Sequence, residues 1–285
     1  MTLLSATRCF LAIMLCLGVL PALADDSARI RLATFNIRCP MDKPPNDWPN
    51  RAPRVKALIT RHQFDIVGLQ EATHKQLQFL LSDPDWASIG VGRADGKRGG
   101  EYSCILFRPA RFELLASDTF WLSETPEVAG SQSWESANRR ICTWGRFRDT
   151  ISGKEFVLFN THLDHRSKNA RLNGVKLILH RMDGIANGAP ILFTGDFNTL
   201  PNSKTILAVR EKLHNSKALS EIAHLGPVGT LNGFVYDRDQ PPKREIDFIF
   251  VSKGVQIHSH RTIDDTDDGL CPSDHFPVLC EITLP

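Results

Sequence analysis

Four polar clusters close apolar, strand-like runs in this chain and a fifth precedes one, and their residue types are those that handle phosphate and hard cations. They are Asn36, Gln70-Glu71, His162, Asp196-Phe197-Asn198 and Ser273-Asp274-His275. Glu71 is the kind of carboxylate that magnesium takes, with waters and substrate phosphate completing the shell; a glutamate opening a helix would serve its dipole instead. Asn36 suits a neutral ligand or a phosphate donor, and equally a turn. At a strand end, alternation puts Asp196 and Asn198 on one side. There they can bind metal, orient water or hold an oxyanion, although an Asx turn uses the same residues. His162 can donate to phosphate oxygens or exchange protons near neutral pH. A catalytic imidazole needs a carboxylate to hold its tautomer, and Glu101 and Asp247 are the candidates. An acid inside an apolar strand is costly unless paired, so Asp247 calls for His275 or, in a purely structural reading, Arg244 or Lys243.

These clusters need a scaffold. Apolar runs rich in β-branched and aromatic residues at 30–37, 66–69, 102–107, 141–147, 156–163, 191–195, 246–251 and 276–284 predict strands. Helical periodicity appears at 51–62, 74–81, 168–182 and 203–212, and the stretches 40–53, 95–100 and 237–243 read as loops. The mixed order excludes one strictly parallel sheet and predicts an α/β protein of two packed sheets with helices outside.

In order and spacing the segments Thr34-Phe35-Asn36-Ile37-Arg38, Gly68-Leu69-Gln70-Glu71, Glu101-Tyr102, Asn160-Thr161-His162-Leu163, Thr194-Gly195-Asp196-Phe197-Asn198, Arg244-Glu245-Ile246-Asp247 and Ser273-Asp274-His275 resemble the endonuclease/exonuclease/phosphatase superfamily, metal-dependent phosphohydrolases related to pancreatic-type deoxyribonuclease. The resemblance spans residues 34–278 and implies a four-layer α/β/β/α sandwich of two mixed sheets with outer helices. It implies Glu71 as the main carboxylate for Mg2+ or Mn2+, with Asn36 and Asp274 arranging the metal and its waters. Asp196 would orient or activate the attacking water and Asn198 would hold the phosphate. His162 and His275 would flank that phosphate, oriented by Glu101 and Asp247. In repair-type relatives an aspartate stands two positions beyond the residue matching Asn36; here it is Arg38, which disfavours abasic-site repair. Further features are similar to a small exported bacterial branch: Asp47-Trp48-Pro49-Asn50-Arg51, Trp121-Leu122-Ser123-Glu124-Thr125-Pro126, Arg139-Arg140, Asp164-His165-Arg166-Ser167 and Thr230-Leu231-Asn232-Gly233-Phe234. Arg140 is a candidate bidentate phosphate clamp. Trp48, Trp121, His165 and Asn232 are candidate substrate contacts, and the tryptophans serve equally as hydrophobic plugs.

Composition sets the wider frame. Arg8, the apolar run 10–20 and Ala22-Leu23-Ala24 have the layout of a signal peptide over residues 1–24, ahead of one domain at 25–285. Export to the periplasm or medium is therefore expected, with no stable membrane span after cleavage. Cleavage removes one positive charge from the formal +2, and so balanced a chain does not announce a nucleic-acid binder. Two tyrosines offer little base stacking. Of seven cysteines, Cys39, Cys104, Cys142, Cys271 and Cys280 lie beyond the signal. Buried thiols are the simpler reading, with a Cys271–Cys280 bridge left open. The sequence thus predicts a monomeric phosphoesterase acting on a small phosphorylated substrate, by phosphodiester or phosphomonoester hydrolysis. An extracellular nuclease acting on DNA or RNA, a lipid phosphodiesterase and a non-catalytic binding domain are the alternatives.

Overall fold

A computed structural model describes residues 28–285; the expected signal peptide at 1–24 lies outside the described residues. In chain order the elements are β1 (Ile30–Asn36), α1 (Trp48–Arg61), β2 (Ile66–Gln70), β3 (Ala72–Thr73) and α2 (His74–Leu80). Then come β4 (Ala87–Ile89), β5 (Glu101–Tyr102), β6 (Ile105–Phe107), β7 (Phe112–Trp121), β8 (Ile141–Asp149) and β9 (Glu155–His162). The second half holds α3 (Lys168–Ala186), β10 (Ile191–Asp196), α4 (Lys204–Arg210), β11 (His214–Asn215), α5 (Ser216–Leu219), β12 (Asp247–Val251), β13 (Gln256–Thr262) and β14 (Val278–Thr283). One sheet runs β13-β14-β1-β2-β6-β4 and the other β11-β12-β10-β9-β8-β7. In each, the central pair is parallel, β1 with β2 and β9 with β10.

Strand alternation assigns every layer. On β1 and β2, Ala33, Phe35, Val67 and Leu69 pack against Val55, Leu58 and Ile59 of α1 and Leu77 of α2. On β9, β10 and β12, Val157, Phe159, Phe193, Phe248 and Phe250 pack against Val175, Ile178 and Met182 of α3 and Ile206 of α4. The remaining faces, with Ile30, Leu32, Ile66, Phe156, Leu158, Leu192 and Ile249, meet between the sheets. The result is α/β/β/α. Continuing that inner face by steps of two leads to Asn36, Gln70, His162 and Asp196, and in the reverse direction on antiparallel β12 to Asp247. The intersheet layer is therefore apolar at one end and polar at the other, and the site sits at the polar end.

The boundary between those ends is a buried amide network. Asn160 on β9 donates to the carbonyls of Leu69 and Cys104 in the opposite sheet, each at 2.9 Å. Its oxygen accepts from Gln70 Nε2 at 2.7 Å and from Thr194 Oγ1 at 3.1 Å. The close approach needs Gly68, where a Cβ would lie 2.3 Å from Thr194 Oγ1 and 2.4 Å from Asn160 Oδ1.

The elements depart from expectation in several places, with β4 and β13 among the strands not anticipated. The run 102–107 is two strands: β5 pairs with β3, and β6 joins the large sheet. The Pro-rich loop stops at Asp47, because Pro49 falls in the first turn of α1, where its missing N–H costs nothing. Strand β7 escaped the pattern because Glu113, Ser117 and Asp118 face water and dilute its apolar alternation. The five cysteines among the described residues are buried free thiols, Cys271 and Cys280 included.

Two predictions follow from the buried polar groups. Asn160→Ala removes the acceptor shared by Gln70 Nε2 and Thr194 Oγ1 and the side-chain donor to the Leu69 and Cys104 carbonyls, and is expected to cost about 2–4 kcal/mol in urea unfolding. His260 on β13 is 4% exposed, shares a 2.9 Å Nδ1···Nδ1 hydrogen bond with His224, and burial, with His224 and Lys217 nearby, lowers its pKa to about 3. The unfolded chain takes up that proton near the ordinary 6.5, so stability falls as pH drops from 6.5 toward 3. This one group contributes about 1.4 kcal/mol per pH unit over that window. In His260→Gln the curve of stability against pH should be flatter between those limits, as read by urea titrations at several pH values.

Candidate active site

The polar end of the intersheet layer opens into a cleft of about 590 Å³. At its centre is Asp196, 1% exposed, whose Oδ1 accepts the Asn198 N–H at 2.8 Å. Its Oδ2 accepts from Asn36 Nδ2 at 3.0 Å and lies 3.4 Å from His162 Nε2 and 3.9 Å from His275 Nε2. Burial first, and then the charge of Asp247, raises this carboxyl to about 7.

The two histidines are held in opposite states. His275 Nδ1 lies 2.8 Å from Asp247 Oδ2, which also accepts the Thr230 hydroxyl. Thr230 Oγ1 in turn accepts the backbone N–H groups of Ile246 and Asp247. Burial opposes a charged His275, but Asp247, Asp196 and Asp274 together outweigh it and raise the imidazole to about 10. His162 Nε2 accepts from Asn198 Nδ2 at 2.9 Å, which places its proton on Nδ1. That Nδ1 is buried without a hydrogen bond, 4.0 Å from Glu101 Oε2. Burial, with Arg140 and Arg93 facing it, keeps His162 well below the ordinary histidine value and so neutral.

Glu71 and Asp274 line the same cleft from the first sheet's side. Glu71 Oε1 accepts from Asn36 Nδ2 at 3.1 Å and Oε2 from the Cys39 N–H at 3.0 Å. Burial opposes its charge, but those two donors prevail and hold it below the usual carboxylate range. Burial raises Asp274. Among the described residues the cation within 4.0 Å of either is Arg38, whose Nη1 is 3.9 Å from Glu71 and 3.6 Å from Asp274, outside hydrogen-bond length. Glu71, held charged, and buried Asp274, facing one cleft with no cation within hydrogen-bond length of either among the described residues, fit a hard divalent cation with oxygen ligands. Asn36 offers its nitrogen to Glu71 and Asp196 while its Oδ1 accepts the Arg38 N–H at 3.0 Å, so it orients the carboxylates. Asp196, Asp247 and His275 also bring ligand atoms within 4.8 Å of one another. There, however, Asp247 Oδ2 and His275 Nδ1 are already bonded to each other, which suits proton holding better than metal ligation.

The remaining expected residues divide. His165 and Arg140 line the cleft, with Arg140 Nη2 3.2 Å from His165 Nδ1. Asp164 stands 3.7 Å from Arg140 Nε, but its oxygens are taken by the hydroxyl of Ser136 and the N–H groups of Ala137, Asn138, Arg166 and Ser167. Trp48 is not in the cleft: it packs edge-on against Phe79 at 5.9 Å, on the helix side of the first sheet. Trp121 is 5% exposed and donates to the Arg93 carbonyl at 2.8 Å, buttressing that loop from behind. Asn232 also lies behind the cleft, its backbone N–H on the Asp274 carbonyl and its Oδ1 on the Phe234 N–H. Arg93, which grips Glu101 Oε1 at 2.7 Å, was not anticipated, since it stands alone in a loop without a pattern. Nor were the left-handed backbones of Arg38 (φ 57), Glu71 (φ 61) and Asn198 (φ 50). Such strain in non-glycine residues gathers at functional sites.

A buried acid between a charged and a neutral imidazole, beside two carboxylates fit for a divalent cation, defines a metal-dependent phosphoester hydrolase. The chain belongs to the Endonuclease/Exonuclease/phosphatase family, whose model matches residues 33–275. An endonuclease/exonuclease/phosphatase structure from Bacteroides vulgatus is 36% identical, with a TM-score of 0.83, over 90% of this chain and 99% of that one. A mannosyl-6-phosphatase from Bacteroides thetaiotaomicron is 33% identical, with a TM-score of 0.83, over 90% of this chain and all of that one (100%). Nocturnin of Drosophila melanogaster is 25% identical over 87% of this chain, which spans 44% of that protein's length.

Asp247→Asn removes the charge that holds His275 protonated while keeping the shape. It is expected to lower kcat by about 10²-fold or more, with little change in melting temperature. A kcat within tenfold of wild type would remove the pair from the reaction.

Proposed function

We propose that this protein is an exported, Mg2+- or Mn2+-dependent phosphoesterase that hydrolyses a small phosphorylated substrate. The observation that carries the reading is the placement of Asp196 Oδ2 3.4 and 3.9 Å from the Nε2 atoms of His162 and His275. A phosphate seated over that triangle meets a proton acceptor and a proton donor at once. Glu71 and Asp274, with Asn36 orienting, would hold the cation, which supplies charge stabilisation for the phosphoryl oxygens.

The chain's own residues account for the rest of the step. Asp196 takes the proton of a water whose oxygen forms the new P–O bond. Asn198 and the His162 that holds its amide position a non-bridging oxygen. Charged His275 steadies the developing negative charge, and its Nε2 proton goes to the ester oxygen as the old P–O bond breaks. Asp247 keeps His275 charged, and Arg140 and Arg93 add positive potential on the His162 side. Support for a sugar phosphate as the substrate class comes from the 33% identity to a mannosyl-6-phosphatase over almost the whole fold, and from a cleft of about 590 Å³, the size of a small-molecule site. Secretion or a periplasmic location follows from the signal-like layout of residues 1–24. No helix among the described residues is long and apolar enough to cross a membrane.

The test is a panel of hexose phosphates, nucleotides, phosphodiesters and plasmid DNA, read by phosphate or alcohol release with Mg2+, Mn2+ or EDTA. Hexose phosphates should be the preferred substrates, and excess EDTA should abolish turnover; activity that survives EDTA overturns the metal reading. Asp196→Ala and His275→Ala should each cost about 10²-fold or more in kcat. Preferential cleavage of plasmid DNA, with steep salt inhibition, would favour the nuclease instead.

A further inference from the structure

We propose that Arg51, a residue outside the cleft, is the positioning residue that sets the metal-binding half of the site. It lies on α1 with no exposed surface (0%), and no carboxylate pairs with it within 4.0 Å among the described residues. Its guanidinium is spent on backbone carbonyls instead. Nε donates to Asn46 at 2.6 Å, Nη1 to Ile37 at 2.7 Å and to Pro272 at 3.0 Å, and Nη2 to Arg38 at 3.0 Å. The rings of Trp48 and Phe234 each lie 5.5 Å from its central carbon. A buried charge is expensive, and a plain helix–sheet contact here would be met by leucine. What a planar fork of donors does, and an apolar side chain does not, is fix the distance between carbonyls from separate segments.

Those segments carry the metal-side carboxylates. Arg38 is held in its left-handed conformation (φ 57) by Arg51 and by Gln76 Nε2, which donates to the same carbonyl at 2.8 Å. In that conformation the Arg38 N–H fixes the Asn36 amide, and the following Cys39 N–H fixes Glu71. Pro272, the other end of the clamp, stands two residues before Asp274. Ser273 ties the same turn to the Asn36 carbonyl at 2.6 Å. Arg51 thus sets the separation between the cradle of Glu71 and the turn of Asp274 without touching either carboxylate.

The inference rests on Glu71 and Asp274 being the metal carboxylates. It is tested by calorimetric titration of the protein with Mn2+ alone, with no substrate present. Arg51→Met should weaken Mn2+ binding by about 10- to 100-fold, the usual effect of losing a group that orients metal ligands. Arg51→Lys, which keeps the charge and stem but not the fork, should show a smaller loss and carries the test if the Met variant does not fold. With Mn2+ raised to saturation, kcat of the Lys variant should recover most of the way. Met182→Ala, in the α3 core, serves as a destabilised control and should leave Mn2+ affinity unchanged. Affinity in folded Arg51 variants within about twofold of wild type overturns the proposal, as does an equal loss in Met182→Ala, which would mark a general effect of stability. Wild-type protein that takes up no Mn2+ overturns the metal reading itself, and this proposal with it.

Discussion

The structure depends first on one cross-layer constraint, the seating of the Asn160 amide between the two sheets. Sheet packing by apolar side chains alone tolerates sliding, because dispersion and hydrophobic burial have little direction. Asn160 removes that freedom by bonding two carbonyls of the opposite sheet, while Gln70 and Thr194 satisfy its oxygen. Gly68 leaves the gap that lets the two backbones come so near. One step further along the same strands are Glu71 and His162, so the lock that fixes the register of the sheets also fixes the site that spans them.

Charge is then distributed so that neighbouring groups of one kind behave differently. His275 faces Asp247, Asp196 and Asp274 and stays charged; His162 faces Arg140 and Arg93 and stays neutral. Both are buried, so solvent does not explain the difference; the sign of the surrounding charge does. Asp196 stands between them on β10, and its cross-strand partner on β12 is Asp247. That antiparallel pairing brings two acids together, and the Thr230 hydroxyl and His275 accommodate the second of them.

The loops beyond the strand ends are held as firmly as the strands. Arg38, Glu71 and Asn198 all leave their strands with left-handed backbones, a cost of roughly 1–3 kcal/mol each that the surrounding bonds must offset. For Arg38 the offset is visible in Arg51 and Gln76, and for Asn198 in the Asp196 carboxylate. For Glu71 it is the Asn36 amide and the Cys39 N–H. In this way elements that never meet the cleft decide the geometry inside it.

The layers and the reacting groups were legible in the sequence, because both follow from period-two alternation and from costly acids at the ends of apolar runs. Asn36, His162 and Asp196 each stand where an inward strand face becomes polar, Glu71 and His275 lie just outside a strand end, and local pattern marks such positions. Strand β7, the split of residues 102–107 and the role of Arg93 were not legible, since each depends on what a distant segment supplies. Trp48 and Trp121 show the limit most plainly: both carried the composition of a substrate contact, and the fold placed one against Phe79 and the other behind Arg93. The sequence by itself determined which residue types lie at which strand ends. Tertiary structure decided which of those ends meet, and so which imidazole is charged, because that depends on charges brought together from segments far apart in the chain.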